Sequence, residues 1–231
     1  MNTTELRQIF RDFIDEPDTT FFSDADVTRY LSLGYDQFRS RVCEHDLSIY
    51  KVTTSFNPSN PEFDLATTDI TDSAGNPQRA LGAGATAGFR LYKIIRLFYQ
   101  AVGTTFPGAF LKPVSSREQV YSPDYLTSKF CLEGTSFIFS AAFSGLMTFE
   151  YVPYHNVDFG AAAAFIDDLG QFHDLIALYA YRYYAIADVG TNQEVERKIA
   201  VREKQLEDYL TSGRQATANF YVSYTNPNFV G

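Results

Sequence analysis

The spacing of the apolar residues changes twice along the chain. It follows a helical period from residue 3 to about residue 46, alternates from residue 47 to 157, and becomes helical again after residue 168. A period near 3.6 is typical of an amphipathic helix, and a period of two is typical of a half-buried strand. The order of these patterns predicts an α+β fold in which a helical body encloses an inserted antiparallel β domain.

Four segments of the 231-residue chain follow from this pattern. The prediction places N-terminal helices at 1–46, the inserted β domain at 47–157, a C-terminal helix hairpin at 158–212 and an extended C-terminal arm at 213–231. The hairpin is expected to be antiparallel and to pack on the N-terminal helices, because only a few residues join its two helices. The arm follows Gly213, lacks a helical period and contains the strand-like stretch FYVSY at 220–224.

The second N-terminal helix has a clear start and a clear apolar face. In FFSDADVTRYLSLGYDQFRSRV (21–42), Ser23 and Asp26 resemble a capping box with Asp in place of Glu. Asp36, Arg39 and Arg41 lie off the apolar stripe. The stripe, which repeats at steps of three and four residues, consists of Val27, Tyr30, Leu31, Gly34, Phe38 and Val42.

Short alternating runs separated by Gly, Pro, Asn and Ser predict the strands of the β domain. The close spacing of the last three runs predicts an antiparallel meander, and residues 115–122 predict one or two helical turns over the sheet. The predicted strands occupy residues 50–56, 62–65, 89–99, 129–134, 136–141 and 145–153.

The first helix of the C-terminal hairpin is apolar or aromatic on more than one side. Tyr181 and Tyr184 lie off its main stripe, so the sequence predicts that this helix contacts neighbours on both sides. The main stripe consists of Phe172, Leu175, Ile176, Tyr179, Tyr183 and Ile186.

Composition narrows the classes of function. Hydrophobic residues make up 45% of the chain, without a run of 18 apolar residues or the pattern of a signal peptide, so we expect a soluble protein with no membrane contact. The formal charge of −9 argues against a protein that grips nucleic acid through clustered Lys and Arg. Cys43 and Cys131 are too far apart in sequence for a metal knuckle, which predicts buried free thiols.

The sequence contains no pattern that requires an enzyme. His45, His155 and His173 are the only histidines, and none belongs to an HxH or HxxxH pair. His173 and Asp174 are neighbours on a predicted helix and point about 100° apart, which is unsuitable for a base and its orienting carboxylate. We therefore expect no catalytic, cofactor-binding or metal-binding residues.

Two further segments resemble functional motifs, but structural roles explain them better. The Gly-rich ALGAGATAGFR at 80–90 lacks the GxGxxG spacing and the GK[ST] of phosphate-binding loops, so it is predicted to be a flexible loop. The adjacent carboxylates Asp167 and Asp168 are predicted to cap the helix that follows them. Neither segment predicts a ligand site.

The order of the parts resembles the head-to-tail adaptor proteins of tailed bacteriophages, which are also called connector or ring proteins. The resemblance rests on FFSDADVTRYLSLGYDQFRSRV, on LKPVSSREQVYSPDY within a β domain, on a strand ending in FEYVPYH, and on a helix with FHDLIALYAYRYYA before a charged helix. It spans nearly the whole chain, and no active-site residue anchors it.

The resemblance implies a structural virion protein of the neck region, assembled in the host cytoplasm. It implies a ring, commonly of twelve copies, between the portal protein and the tail or nozzle proteins. Genomic DNA would pass through the ring without sequence-specific binding, and no membrane or cofactor would be involved. A neck-completion or tail-tube protein is the structural alternative.

The partner-binding residues expected from this resemblance lie on the C-terminal helices and on the arm. Tyr181, Tyr184 and Tyr209 are the candidates for contacts between neighbouring subunits. The arm is expected to add a strand to an exposed sheet edge of a partner, or to be a disordered tail that orders on binding. Its candidate residues are Phe220, Tyr221, Val222 and Tyr224.

A different class of function remains compatible with the aromatic content of the β domain. Tyr121, Tyr125 and Phe130 are candidate platforms for a carbohydrate or another ligand. Aromatic residues stacked in a β core produce the same composition, so the sequence leaves both interpretations open.

Overall fold

A computed structural model gives the fold of the chain. It describes residues 1–16, 22–58, 60–72, 74–86, 88–101, 109–122, 128–141, 145–188 and 192–222. The helices are α1 (Thr3–Ile14), α2 (Asp24–His45), α3 (Arg117–Tyr121), α4 (Asp174–Asp188) and α5 (Gln193–Val222), with short 3₁₀ helices at Leu47–Tyr50 and Gly170–Phe172. The strands are β1 (Val52–Phe56), β2 (Glu62–Asp64), β3 (Ile70–Asp72), β4 (Pro77–Gln78), β5 (Leu91–Ala101), β6 (Lys112–Pro113), β7 (Lys129–Glu133), β8 (Ser136–Phe139) and β9 (Gly145–Pro153). The fold is α+β, as the sequence predicts.

The chain divides into two compact units. The helical unit consists of Met1–Ile49 and Val157–Gly231, and the β unit consists of Tyr50–Asn156. The sequence prediction placed the inserted domain at 47–157. Among the described residues, no helix has both the length and the apolar character that crossing a membrane requires.

The start of α2 confirms the predicted cap. The Ser23 hydroxyl oxygen accepts a hydrogen bond from the Asp26 backbone N–H at 3.2 Å. The Asp26 carboxylate accepts from the Ser23 hydroxyl at 2.6 Å. At α1, by contrast, Glu5 reaches back to the backbone N–H of Asn2 at 3.0 Å and completes a full capping box. The side chain of Asp is one methylene shorter than that of Glu, which accounts for the difference.

The buried face of α2 includes most of the predicted stripe and is wider than predicted. Val27, Leu31, Gly34, Phe38 and Val42 are buried, and Tyr30 is half-buried. Tyr35, Arg39 and Cys43 are also buried, although Arg39 lies off the predicted apolar stripe. The Arg39 guanidinium lies 5.9 Å from the centre of the Tyr35 ring, a cation–π contact that favours this position.

Gly34 marks the closest approach of α2 to α4. A Cβ atom at this position would lie 2.5 Å from the carbonyl oxygen of Ile176 and 2.9 Å from the backbone nitrogen of Ala180. Real Cβ atoms do not approach backbone atoms so closely. Glycine therefore lets the two helix backbones pack together, and the buried side chains of Leu175, Ile176 and Tyr179 fill the surrounding core.

The helices α4 and α5 form the predicted antiparallel hairpin. Asp174 at the start of α4 pairs with Arg202 of α5 at 2.7 Å, whereas Arg182 further along α4 pairs with Glu196 at 3.5 Å. The Tyr179 hydroxyl of α4 also donates a hydrogen bond to Glu203 of α5, at 2.6 Å. Burial and this hydrogen bond raise the pKa of Tyr179, so it remains a neutral donor.

The helix α5 is longer than predicted. It continues to Val222, so the prediction of an extended arm from residue 213 is wrong for residues 213–222. One glycine costs a helix only about 1 kcal/mol, and the residues that follow Gly213 include no proline before Pro227. The remaining part of the predicted arm, 223–231, lies outside the described residues.

The β unit contains two sheets, and their topology corrects the predicted meander. One sheet has the order β4-β3-β1-β9-β5, and the other has the order β2-β8-β7-β6. β7 and β8 pair antiparallel as predicted, but β9 pairs with β1 and β5 in the first sheet. Sequence spacing identifies the strands without fixing their non-local partners. The β domain is also mixed, since β6 and β7 are parallel.

The core of the β unit is a cluster of aromatic rings contributed by both sheets. Phe56 of β1 lies 4.1 Å from Phe63 of β2, and Phe149 of β9 lies 5.1 Å from Phe137 of β8, as measured between ring centroids. These contacts place the two sheets face to face. The high phenylalanine content of this part of the chain is thus largely a packing feature.

One buried charge lies on the first sheet. Glu150 of β9 is buried, accepts a hydrogen bond from Lys51 at 3.2 Å, and pairs with Arg96 on the neighbouring strand β5. Burial opposes ionisation, but the hydrogen bonds from Arg96 and Lys51 outweigh it and hold the pKa of Glu150 below its ordinary value. The ionised form is therefore favoured by folding.

The first prediction concerns the pH dependence of this carboxylate. A group whose pKa is lowered by folding stabilises the protein above its unfolded pKa, and that stabilisation is lost as the pH falls through its folded pKa. We expect Glu150→Gln to lower the free energy of unfolding by about 2 kcal/mol at about pH 7. The difference from wild type should shrink between about pH 5 and about pH 3.

Urea unfolding followed by circular dichroism at each pH measures this difference. Glu133→Gln is the matched control, because Glu133 is an exposed carboxylate paired with Arg117 and should change stability by about 0.5 kcal/mol or less. A difference between wild type and Glu150→Gln that stays constant with pH would contradict the prediction.

Candidate interaction surfaces

The predicted contact residues Tyr181 and Tyr184 lie in an aromatic cluster of the helical unit. The centroid of the Tyr184 ring lies 5.5 Å from that of Phe22 and 6.0 Å from that of Tyr30, and both pairs pack edge to face. The Tyr181 ring lies 6.2 Å from that of Phe13 on α1. Both tyrosines are half-buried. The second apolar face of α4 therefore packs largely against α1 and against the start of α2 within the same chain.

Tyr209, the third predicted contact residue, has a more open position. Its side chain is 49% exposed on α5, and its ring lies 5.4 Å from that of the buried Phe172. Phe172 precedes α4, so this contact places Tyr209 at the end of the hairpin where α4 begins. The ring offers both an apolar face and a hydroxyl group to a partner.

Two residues of the predicted α4 stripe, near the other end of the helix, are exposed. Tyr183 is 36% exposed and Ile186 is 60% exposed. They stand three residues apart on a helix, so they form one patch, which we call the α4 patch. Periodicity identified their face, but it does not reveal where the neighbouring helices stop covering that face.

The α4 patch and Tyr209 lie at opposite ends of the hairpin. At about 1.5 Å per residue, the distance along the α4 axis from its start to Ile186 is about 20 Å. Tyr209 packs beside that start through Phe172. The α4 patch and Tyr209 are therefore separate from each other and do not form one continuous face.

The arm residues take a different conformation from the predicted one. Phe220, Tyr221 and Val222 belong to the last turn of α5, and Tyr224 lies outside the described residues. Strand addition to a sheet edge needs an extended backbone. In the helical conformation, these three residues do not supply the main-chain hydrogen bonds that strand addition requires.

The structure does not bring together the candidate platforms of the β unit. Tyr121 is exposed at the end of α3, whereas Phe130 is buried and lies 5.7 Å from Phe137 in the aromatic core. Tyr125 lies outside the described residues. Phe130 is therefore a core residue, and the prediction of it as a ligand platform is wrong.

A buried polar network links α2 to the segment before α4. The carboxylate of Asp167 accepts hydrogen bonds from the Tyr35 hydroxyl at 2.9 Å and from the Leu169 backbone N–H at 2.9 Å. The same carboxylate also contacts the His173 side chain, with 2.6 Å between Asp167 Oδ1 and His173 Nε2. Asp167 thus has a role in a network between distant parts of the chain, whereas the sequence predicted only a helix cap.

Sequence reasoning missed this network because its members are far apart in the chain. Tyr35 and Asp167 are separated by 132 residues, and His173 was compared only with its neighbour Asp174. His173 is completely buried, so its ring is out of contact with solvent. Its position among packed helices indicates a structural role.

Two further comparisons concern possible metal ligands and known proteins. Within the described part of the chain, no group of three or more His, Cys, Asp or Glu side chains is arranged to hold a metal ion. No protein-family model matches the chain, and a search of the curated proteins also found no match.

Proposed function

We propose that this protein is a structural virion component, a head-to-tail adaptor that forms a ring between the portal protein and the tail. The proposal combines the resemblance in the order of parts with one structural observation. That observation is the pair of apolar surfaces, the α4 patch and Tyr209, at opposite ends of the α4–α5 hairpin.

Two separate surfaces favour a ring over a two-fold dimer. An isologous dimer needs one self-complementary patch, whereas a ring needs two different patches that meet head to tail between neighbours. Tyr183 and Ile186 on one subunit would contact Tyr209 on the next. Exposed aromatic and aliphatic side chains of this kind are enriched in such interfaces.

The charge of the chain is compatible with a conduit for DNA. A formal charge of −9 repels phosphates, so DNA would pass through the ring without being held. The ring would occupy the neck of the virion after assembly in the host cytoplasm.

The assembly state of the purified protein tests the proposed ring. We expect native mass spectrometry across a concentration series to detect a closed ring, either alone or in the presence of the portal protein from the same genome. Ile186→Ser and Tyr209→Ser should each raise the concentration needed for assembly by about tenfold or more. Tyr121→Ser removes an equally exposed tyrosine from the β unit and is the control.

Mixing the two single variants tests the head-to-tail arrangement. Each mixed pair has one intact interface and one doubly altered interface, so the mixture should form dimers and no rings. A monomer that ignores the portal protein at every concentration would contradict the proposal. A ring or stack that assembles but ignores the portal protein would favour a neck-completion or tail-tube protein instead.

A further inference from the structure

A groove of about 480 Å³ runs along the helical unit. It lies over α4, which contributes Asp174 and Leu178 and packs against both α1 and α5. Phe13 of α1 forms one wall. The opposite wall consists of Arg197, Lys198, Val201 and Arg202 of α5.

The walls of the groove expose apolar side chains that face a common space. Phe13 is 40% exposed and Val201 is 53% exposed, on opposite sides of the buried Leu178. Two helices flanking a third leave a trough in which an additional helix can lie and bury these side chains. This is the geometry of helix-in-groove recognition, in which the bound helix inserts residues spaced three or four positions apart.

The groove is positively charged on a chain that is negative overall. Three cations and one carboxylate line it. Arg202 is engaged with Asp174 and with the backbone oxygen of Gln171 at 2.8 Å, so it shapes the groove. Arg197 has an exposed side chain and no ion pair with any described residue, and Lys198 pairs with Glu194 at 3.0 Å on the open surface. Arg197 is therefore available to a ligand carboxylate, whereas Lys198 would share its charge between Glu194 and the ligand.

We propose that the groove binds an acidic amphipathic helix of a partner protein. The apolar side of that helix would cover Phe13, Leu178 and Val201, and its carboxylates would face Arg197 and Lys198. Charge complementarity favours an acidic helix, since a basic helix would meet two like charges at the α5 wall. The inference is independent of ring formation, because it concerns a different surface from the α4 patch and Tyr209.

The third prediction uses two designed peptides as probes. One is a helical peptide of about 18 residues with Leu at positions i, i+3, i+4 and i+7 and Glu at its solvent positions, and the other carries Lys in place of every Glu. Fluorescence anisotropy should give a dissociation constant for the acidic peptide about tenfold lower than for the basic peptide. Added salt should reduce this preference. The overall charge of −9 opposes it, so a preference for the acidic peptide reports the local charge of the groove.

Matched variants separate the charge contacts from the apolar contacts. The double variant Arg197→Glu with Lys198→Glu should abolish the preference for the acidic peptide, whereas Lys204→Glu, on the same helix outside the groove, should retain it. Val201→Ser should raise the dissociation constants of both peptides about fivefold. Leu33→Ser is its control, because Leu33 is an exposed apolar residue of α2 that does not line the groove.

Three outcomes would overturn the proposal. The first is equal affinity for the two peptides, and the second is binding that the groove variants leave unchanged. The third is self-association that Val201→Ser abolishes, which would assign the groove to a second copy of this chain. A monomeric protein that prefers the acidic peptide would support the groove and argue against the ring, so the two proposals can fail separately.

Discussion

Gly34→Ala should lower the free energy of unfolding by about 3 kcal/mol. Helix propensity alone predicts the opposite, since alanine is favoured over glycine in a helix by about 1 kcal/mol. The new methyl group, however, would lie 2.5 Å from the carbonyl oxygen of Ile176 and 2.9 Å from the backbone nitrogen of Ala180. These backbone atoms belong to α4 and cannot rotate away as a side chain can, so α2 and α4 must separate and lose packing.

A second substitution distinguishes a backbone clash from a side-chain clash. The Ala180 side chain would lie 3.2 Å from the new methyl group, and Ala180→Gly removes that contact alone. We expect Ala180→Gly not to restore the stability of Gly34→Ala, as measured by urea unfolding. Leu33→Ala, at an exposed position on the same helix, controls for general effects on α2. A Gly34→Ala protein as stable as wild type would refute the close helix crossing.

Local patterns were sufficient to predict most elements of the fold. The strand at 145–153 has the predicted bounds, and Ser23 caps α2 as predicted, because alternation and capping depend on residues close in sequence. The pairing of β9 with β1 and β5 was missed because it is non-local, with partners more than 90 positions apart in the first pair and more than 40 apart in the second. The end of α5 was missed because a single glycine is a weak stop signal.

The interaction surfaces were less predictable than the elements that carry them. The sequence marked Tyr181 and Tyr184 as surplus aromatic residues, but it did not reveal that Phe13, Phe22 and Tyr30 pack against them. Exposure depends on where one helix ends relative to its neighbours, and this information is not present in the periodicity of either helix. The groove over α4 has the same origin, since it lies between helices from opposite ends of the chain.

Asp167→Ala should be among the most damaging single substitutions in the helical unit, with a loss of about 4 kcal/mol in the free energy of unfolding. The variant loses three hydrogen bonds at once, leaves the His173 ring without its acceptor, and leaves the Tyr35 hydroxyl with only a 3.5 Å contact to the Ile166 carbonyl oxygen. A buried donor that loses its partner costs about 1–3 kcal/mol. Asp168→Ala is the matched control, because Asp168 is exposed, and it should change stability by about 0.5 kcal/mol or less.

A double-mutant cycle tests whether the loss arises from stranded polar groups. Removing both partners of a buried hydrogen bond costs less than the sum of the single losses, because neither partner is left unsatisfied. We therefore expect His173→Phe to be less damaging in the Asp167→Ala background than in the wild-type background, by at least about 1 kcal/mol in urea unfolding. Additive losses would indicate that the 2.6 Å contact between Asp167 and His173 Nε2 contributes no coupling. In that case the stability of this region would come from packing around Phe38, whose ring lies 6.3 Å from the His173 ring.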